Sequence, residues 1–156
     1  MREIKFRVWA KPWKWMDFPT SISIDDSGHI EGVRGYGDDY ADGDFEMMQF
    51  TGLKDKNGRE IYEGDLFEHR FGYTVFDDVI HEEMGTEYGA VVLEDGQFGV
   101  KIPALGVYNL YGLLLRDGHL DDMPKDDLFV MKIAGNIYEN PELMEEDIGK
   151  RCLLEQ

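Results

Sequence analysis

Asn57-Gly58, set between the strand-like runs Phe45–Thr51 and Ile61–Phe67, is the feature that most narrows the folds open to this chain. Asn and Gly both tolerate positive φ, and this pair between two such runs is the strongest short-range hairpin signal. Asp95-Gly96 repeats it between Tyr88–Glu94 (YGAVVLE) and Gln97–Ile102 (QFGVKI). With 18 glycines against 5 prolines, the chain is punctuated for short strands and tight turns rather than long helices.

The rest of the chain extends this reading. From Arg2 to Ala10 the residues alternate, with Ile4, Phe6 and Val8 on one side and Glu3, Lys5 and Arg7 on the other, which predicts a half-buried strand. Lys11-Pro12 interrupts it, and the alternation of Trp13, Trp15 and Phe18 predicts a returning strand. Ser21–Asp25 and His29–Val33 form a second candidate hairpin about Asp26-Ser27-Gly28. Leu128–Ala134 reads as a strand, Tyr108–Leu115 as a strand or a short helix, and Phe71–Gly89 as a turn-rich polar segment. Arg116–Asp127 reads as an acidic loop around Pro124. Near the end, Asn140, Pro141 and Glu142 have the chemistry of a helix start, with Leu143, Met144 and Ile148 as its apolar face and Gly149 as its stop. Gly52 and Glu63-Gly64-Asp65 mark bends, and Gly-Asp before an apolar pair is a pattern of long bent strands in SH3-like barrels. The expected architecture is mainly β: a small SH3-like β-barrel over residues 45–156 with a short C-terminal helix. An N-terminal β-hairpin region and acidic linker over 1–44 would precede it.

Charge narrows the function classes. The chain holds 33 acidic against 16 basic residues, a formal net charge of −17. Such a surface repels phosphate backbones and anionic membranes. It can serve solubility, face a basic partner, or imitate nucleic acid. Cys152 is the only cysteine, so no intramolecular disulfide forms, and no base stands beside it in the sequence to make it a nucleophile. Neither a signal-peptide pattern nor an apolar run of membrane-spanning length occurs. The expectation is a soluble cytoplasmic protein.

Three motifs carry a family resemblance. Thr51-Gly52-Leu53-Lys54-Asp55-Lys56-Asn57-Gly58 with Ile61-Tyr62-Glu63-Gly64-Asp65, the opening Arg2-Glu3-Ile4-Lys5-Phe6-Arg7, and Gly135-Asn136-Ile137-Tyr138-Glu139-Asn140-Pro141-Glu142-Leu143 together resemble the YopX-like proteins of phages and prophages. The resemblance implies a phage or prophage origin and a mainly β fold with no established activity, and it supplies no catalytic residues to carry over. Read as chemistry, Lys, Asp and Asn in the central motif have turn roles that need no ligand.

No other stretch spells out a reaction. His81-Glu82-Glu83-Met84 begins like a zinc-protease helix but lacks the second histidine four residues on. His29, His69, His81 and His119 read as exposed loop residues. Asp38, Asp39, Asp42 and Asp44 lack the ladder and closing glutamate of a calcium loop. The expectation is no catalytic, metal or cofactor site. The candidate partner surface is Trp13 and Trp15 with Asp38, Asp39 and Asp42, facing an unknown protein partner, with self-association through sheet edges as a further option. The alternatives are an acidic nucleic-acid mimic and a nucleic-acid binder using Arg2, Lys5, Arg7, Lys11 and Lys14 interleaved with tryptophan.

Overall fold

The computed structural model describes residues 3–102, 105–117 and 127–145. The expectations for Arg2, His119, the loop around Pro124, Ile148, Gly149 and Cys152 lie outside these residues. The protein is mainly β, and its chain divides into two units, Met1–Gly52 and Leu53–Gln156.

In the first unit the strands are β1 (Phe6–Ala10), β2 (Trp15–Asp17), β3 (Pro19–Ile24), β4 (Ile30–Gly35), β5 (Asp39–Ala41) and β6 (Phe45–Lys54), whose end carries the chain into the second unit. β1 lies between β2 and β6, antiparallel to both, with Val8 opposite Asp17 on one side and Met47 on the other. β3, β4 and β5 follow one another in a second antiparallel sheet. Both expected hairpins are present. Val8, Ala10, Val33 and Tyr40 form the buried core, with Ile30, Phe45 and Met47 packed against it.

Two details of the alternation fail here. Arg7, expected on the solvent face, is only 6% exposed, because Arg7 and its neighbour Val8 are both covered. Its Nε donates to Met48 Sδ at 3.4 Å, and its stem packs as an apolar chain would. Ile4, expected inside, is exposed. The acidic stretch Gly35–Asp44 is more than a linker: it contains β5, where Tyr40 turns into the core between exposed Asp39 and Ala41.

The second unit contains β7 (Glu60–Tyr62), β8 (Asp65–Val75), β9 (His81–Glu94), β10 (Gln97–Ile102), β11 (Gly106–Asn109), helix α1 (Leu110–Asp117), β12 (Asp127–Asn136) and helix α2 (Glu142–Glu145). Five strands form an antiparallel sheet in the order β11-β10-β9-β8-β12, curled into a half-barrel. The order is linear, with β11 and β12 at its edges, so what the structure bears out of the expected barrel is a mainly β half-barrel and not its SH3-like detail. Ile61, Phe67, Val91, Val100, Leu113 and Met131 lie in its core. Phe71–Gly89, expected to be turn-rich, is instead most of one long hairpin, with β8 and β9 in unbroken register from Leu66↔Ala90 to Val75↔His81. The ambiguous apolar stretch divides at Asn109, whose Oδ1 accepts the Gly112 N–H at 2.8 Å and so caps α1. Asn140 does not cap α2 with its side chain. Its Oδ1 accepts the Asn136 N–H, while its main-chain carbonyl accepts that of Leu143.

The family motif is a set of buried polar pins. Asp55 Oδ1 accepts the N–H groups of Asn57 and Arg59 at 2.9 Å each, closing the turn. Its Oδ2 reaches across 78 residues of sequence to the Ile133 N–H, also at 2.9 Å. That N–H sits where the register of β12 on β8 shifts, between Val130 and Ile133. An irregularity in the ladder leaves a donor to be satisfied, and Asp55 satisfies it. Beside it the Lys56 N–H donates to the Met131 carbonyl. At the second bend Gly64 adopts φ 82°. Its N–H donates to the Val91 carbonyl and its own carbonyl accepts from Ile137 N–H, joining the central motif to the C-terminal one. Asp65 Oδ2 accepts the Tyr62 N–H at 2.8 Å, and Asn136 Oδ1 accepts from Tyr138 and Glu139.

Two stability predictions follow from these pins. An amide at position 55 presents one oxygen where two are used, so Asp55→Asn should cost about 2–3 kcal/mol in urea unfolding. An unchanged unfolding midpoint would show that the bond to Ile133 holds nothing. Gly64→Val forces a β-branched residue into positive φ and should cost about 1–3 kcal/mol. Unchanged thermal unfolding would remove the corner from the account.

Candidate interaction surface

The first unit carries a half-exposed pair of tryptophans that is held from below. The β1–β2 connection closes with the Lys14 N–H donating to the Ala10 carbonyl, and Lys14 itself adopts φ 55°. That reversal brings Trp13 and Trp15 to the same side, with ring centroids 5.8 Å apart and planes 16° from parallel. Trp13 also meets the edge of Tyr40 at 5.7 Å. The indoles remain 44% and 41% exposed.

A hydrogen-bond relay sets their position. Trp15 Nε1–H donates to the Tyr40 hydroxyl at 2.8 Å, and that hydroxyl donates to Asp17 Oδ2 at 2.6 Å. The Asp17 carboxylate accepts three further bonds, from the N–H groups of Phe18, Tyr36 and Gly37. A Cβ at Gly35 would overlap the Asp17 carboxylate, and one at Gly37 would crowd the Trp15 ring, so the sequence keeps both small. Burial works to raise the Asp17 pKa, but the bonds from Tyr40, Gly37, Phe18 and Tyr36 outweigh it and hold the group below the usual carboxylate range. Burial, then the bond to Asp17, raises the Tyr40 hydroxyl above its usual value.

The acidic residues expected to accompany the tryptophans divide. Asp38 follows Gly37, on which Trp15 rests, and its Oδ1 accepts the Asp39 N–H at 2.8 Å. Asp39 pairs with Arg34 at 3.2 Å. Asp42 is exposed in the turn between β5 and β6, where Gly43 adopts φ 87° and the Asp44 carbonyl accepts the Lys11 N–H. Sequence reading missed Asp17 and Tyr40, which organise the surface. Their signals are an Asp in step with Trp13 and Trp15, and a tyrosine set among aspartates at 38, 39 and 42.

The expected cationic stripe is largely spent within the fold. Lys5 pairs with Glu3 at 2.8 Å and lies 5.4 Å from the Phe50 ring centre, Lys11 pairs with Glu46 at 2.8 Å, and Arg7 is buried.

The histidines occupy separate settings, and one expectation is overturned. His69 is not a loop residue but is 0% exposed on β8, with Nδ1 2.7 Å from Oε1 of Glu87, its directly opposite neighbour on β9. Phe129 covers the imidazole at 4.4 Å and Phe71 stacks at 6.1 Å. This is a buried polar pair in an aromatic box, a partnered arrangement of the kind interiors accept. His29 lies in the Asp25 turn. His81 donates to the Val79 carbonyl and to Glu83 at the tip of the β8–β9 hairpin, and these two bonds, in that order, raise its pKa. Among the described residues, no group of three or more His, Cys, Asp or Glu is placed to hold a metal, and no helix is long and apolar enough to cross a membrane.

Comparison with known proteins identifies the fold's relatives. The family described as YopX protein matches residues 5–145. The crystal structure of protein EF1440 from Enterococcus faecalis is 27% identical, covering 92% of this chain and 99% of that one, with a TM-score of 0.56. The X-ray structure of protein yopX from Bacillus subtilis is 18% identical over the same shares, with a TM-score of 0.50, and shares the fold. No curated protein matches the chain.

The Asp17 relay has a pH signature. A carboxylate whose pKa is depressed on folding stabilises above its unfolded value, near 3.8, and that contribution is lost as pH falls through the lower folded value. Below about pH 4 the first unit should therefore lose stability more steeply in the native chain than in Asp17→Asn. Parallel acid limbs, followed by tryptophan fluorescence, would contradict the relay.

Proposed function

The chain belongs to the YopX protein family, and on that footing we propose that it is a non-catalytic protein-binding module acting for a phage programme in the cytoplasm of a bacterial host. The observation that carries the reading is the half-exposed Trp13–Trp15 stack, held from below by Tyr40 and Asp17. Tryptophan and tyrosine dominate the binding energy of protein interfaces, because they cover large areas with few torsions to freeze. Rings already fixed by hydrogen bonds cost less to order on binding.

The fate of the other residues supports the same reading. Asp55, Gly64, Asp65, Asn136 and Asn140 are occupied with backbone partners, so the family motif acts as scaffold. His69 is enclosed with Glu87, while His29 and His81 serve their own turns. A protein partner is favoured over nucleic acid by the engagement of Lys5 and Lys11 in ion pairs and by the burial of Arg7. Phosphate binding requires such cations to be free to displace counterions.

Affinity purification from bacterial host lysate, with and without nuclease, tests the proposal. The expected result is one protein partner that survives nuclease and is lost from the doubly substituted Trp13→Ala, Trp15→Ala chain, which keeps its strand circular dichroism. A partner removed by nuclease, or one indifferent to both tryptophans, would overturn it.

A further inference from the structure

The aromatic shelf has a definite electrostatic surround. From Tyr36 to Asp44 the chain carries Asp38, Asp39, Asp42 and Asp44 and no Lys, Arg or His. Of the nearby cations, Arg34 is paired with Asp39 and Lys11 with Glu46. Setting those pairs aside leaves Asp38, Asp42 and Asp44 against Lys14, on a chain of net charge −17. Trp15 offers its face rather than a donor, since its indole N–H is already given to Tyr40. The Tyr40 hydroxyl is in turn given to Asp17, which places a carboxylate behind the ring set. An electron-rich face with carboxylates alongside complements a cation, and a flat one best. A guanidinium stacks on indole and can still bond a carboxylate at its edge, whereas an ammonium is a hydrated point charge.

We infer that the Trp13–Trp15 shelf and the Asp38–Asp44 loop recognise an arginine-bearing peptide segment of the protein partner. This rests on the protein-binding reading and adds to it the chemistry of the contact. One arginine stacks on the exposed indole face, with its carboxylate partner in Asp38, which follows the Gly37 that the Trp15 ring approaches, and with Tyr36, which is exposed, at its rim. Lys14, between the two tryptophans, is the cation that such an arginine must displace or avoid.

The experiment uses the full chain and three defined probes: an arginine-glycine repeat peptide, its citrulline counterpart, and a neutral proline-rich peptide. Binding is followed by tryptophan fluorescence and by the indole N–H signals. The arginine peptide should bind roughly tenfold more tightly than the citrulline one, the difference expected from one desolvated cation–π contact. Its binding should weaken in Trp13→Ala and Asp38→Asn and strengthen in Lys14→Ala. Equal binding of arginine and citrulline peptides, or preference for the proline-rich peptide, would overturn the arginine assignment while supporting a peptide-binding shelf. Absence of arginine-peptide binding would also overturn it, and the lysate experiment then decides the broader reading separately. Unaltered binding in both Trp13→Ala and Trp15→Ala would show that arginine is bound elsewhere, which equally defeats the inference.

Discussion

The second unit depends on one buried carboxylate. Asp55 closes its own turn through one oxygen and gives the other to the Ile133 N–H, on a strand that arrives 78 residues later. Loop closure over that distance is entropically costly, and the apolar contacts of β12 with β8 do not by themselves fix the register where the ladder slips. A charge-assisted bond at that point does both jobs: it satisfies the buried donor that the ladder leaves over and selects one register. Gly64 works beside it. With positive φ it turns its N–H toward Val91 and its carbonyl toward Ile137, so one corner is tied to β9 and to the segment after β12. The sequence between Asp55 and Asp65 is therefore the seam along which distant parts of this unit are joined.

The first unit uses the same device on other residues. Asp17 gathers the N–H groups of Phe18, Tyr36 and Gly37 and the Tyr40 hydroxyl, linking β2 to the approach of β5. Asp25 gathers the N–H groups of Ser27 and His29 in an exposed hairpin. A carboxylate that accepts several bonds is stabilised as an anion, which is how an acidic chain can place charge inside without leaving it unpaired. Part of the acidic excess is thus structural, and the chain's net charge overstates what is available to an outside partner.

Turn chemistry was the legible part of the fold. Asn57-Gly58 and Asp95-Gly96 both form hairpin turns, with positive φ at Gly58, Asp95 and Gly96. The Phe71–Gly89 segment reads as turns because two of its glycines, Gly85 and Gly89, are there for packing. A Cβ at Gly85 would strike the Phe71 ring, and one at Gly89 would strike Val100 and Ile102. The inward positions of the hairpin include His69 and Glu87, whose polarity disguised the alternation. Pattern reading assigns an inward polar residue to a loop, whereas here two such residues face each other and satisfy each other. Tyr40 was hidden likewise, as one inward tyrosine among aspartates. The tryptophan surface was legible as residues, but its fixity was not, since that comes from Asp17 and Tyr40 across 23 residues of sequence.

That division bears on where function can reside. A residue whose hydrogen bonds hold the backbone cannot also release them to a ligand without loosening the fold, so the most family-specific residues of the chain are poorly suited to binding. The Trp13–Trp15 shelf has the opposite character. Its scaffold lies beneath it, in the Asp17–Tyr40 relay, and its outward faces make no demand on the backbone. The indole faces can be substituted without unpinning a turn, while the sheets beneath stay the same. If the shelf is the binding surface proposed above, variation in what it binds would fall on the shelf and its acidic rim, while Asp55, Gly64 and Asn136 remain fixed by the geometry they enforce.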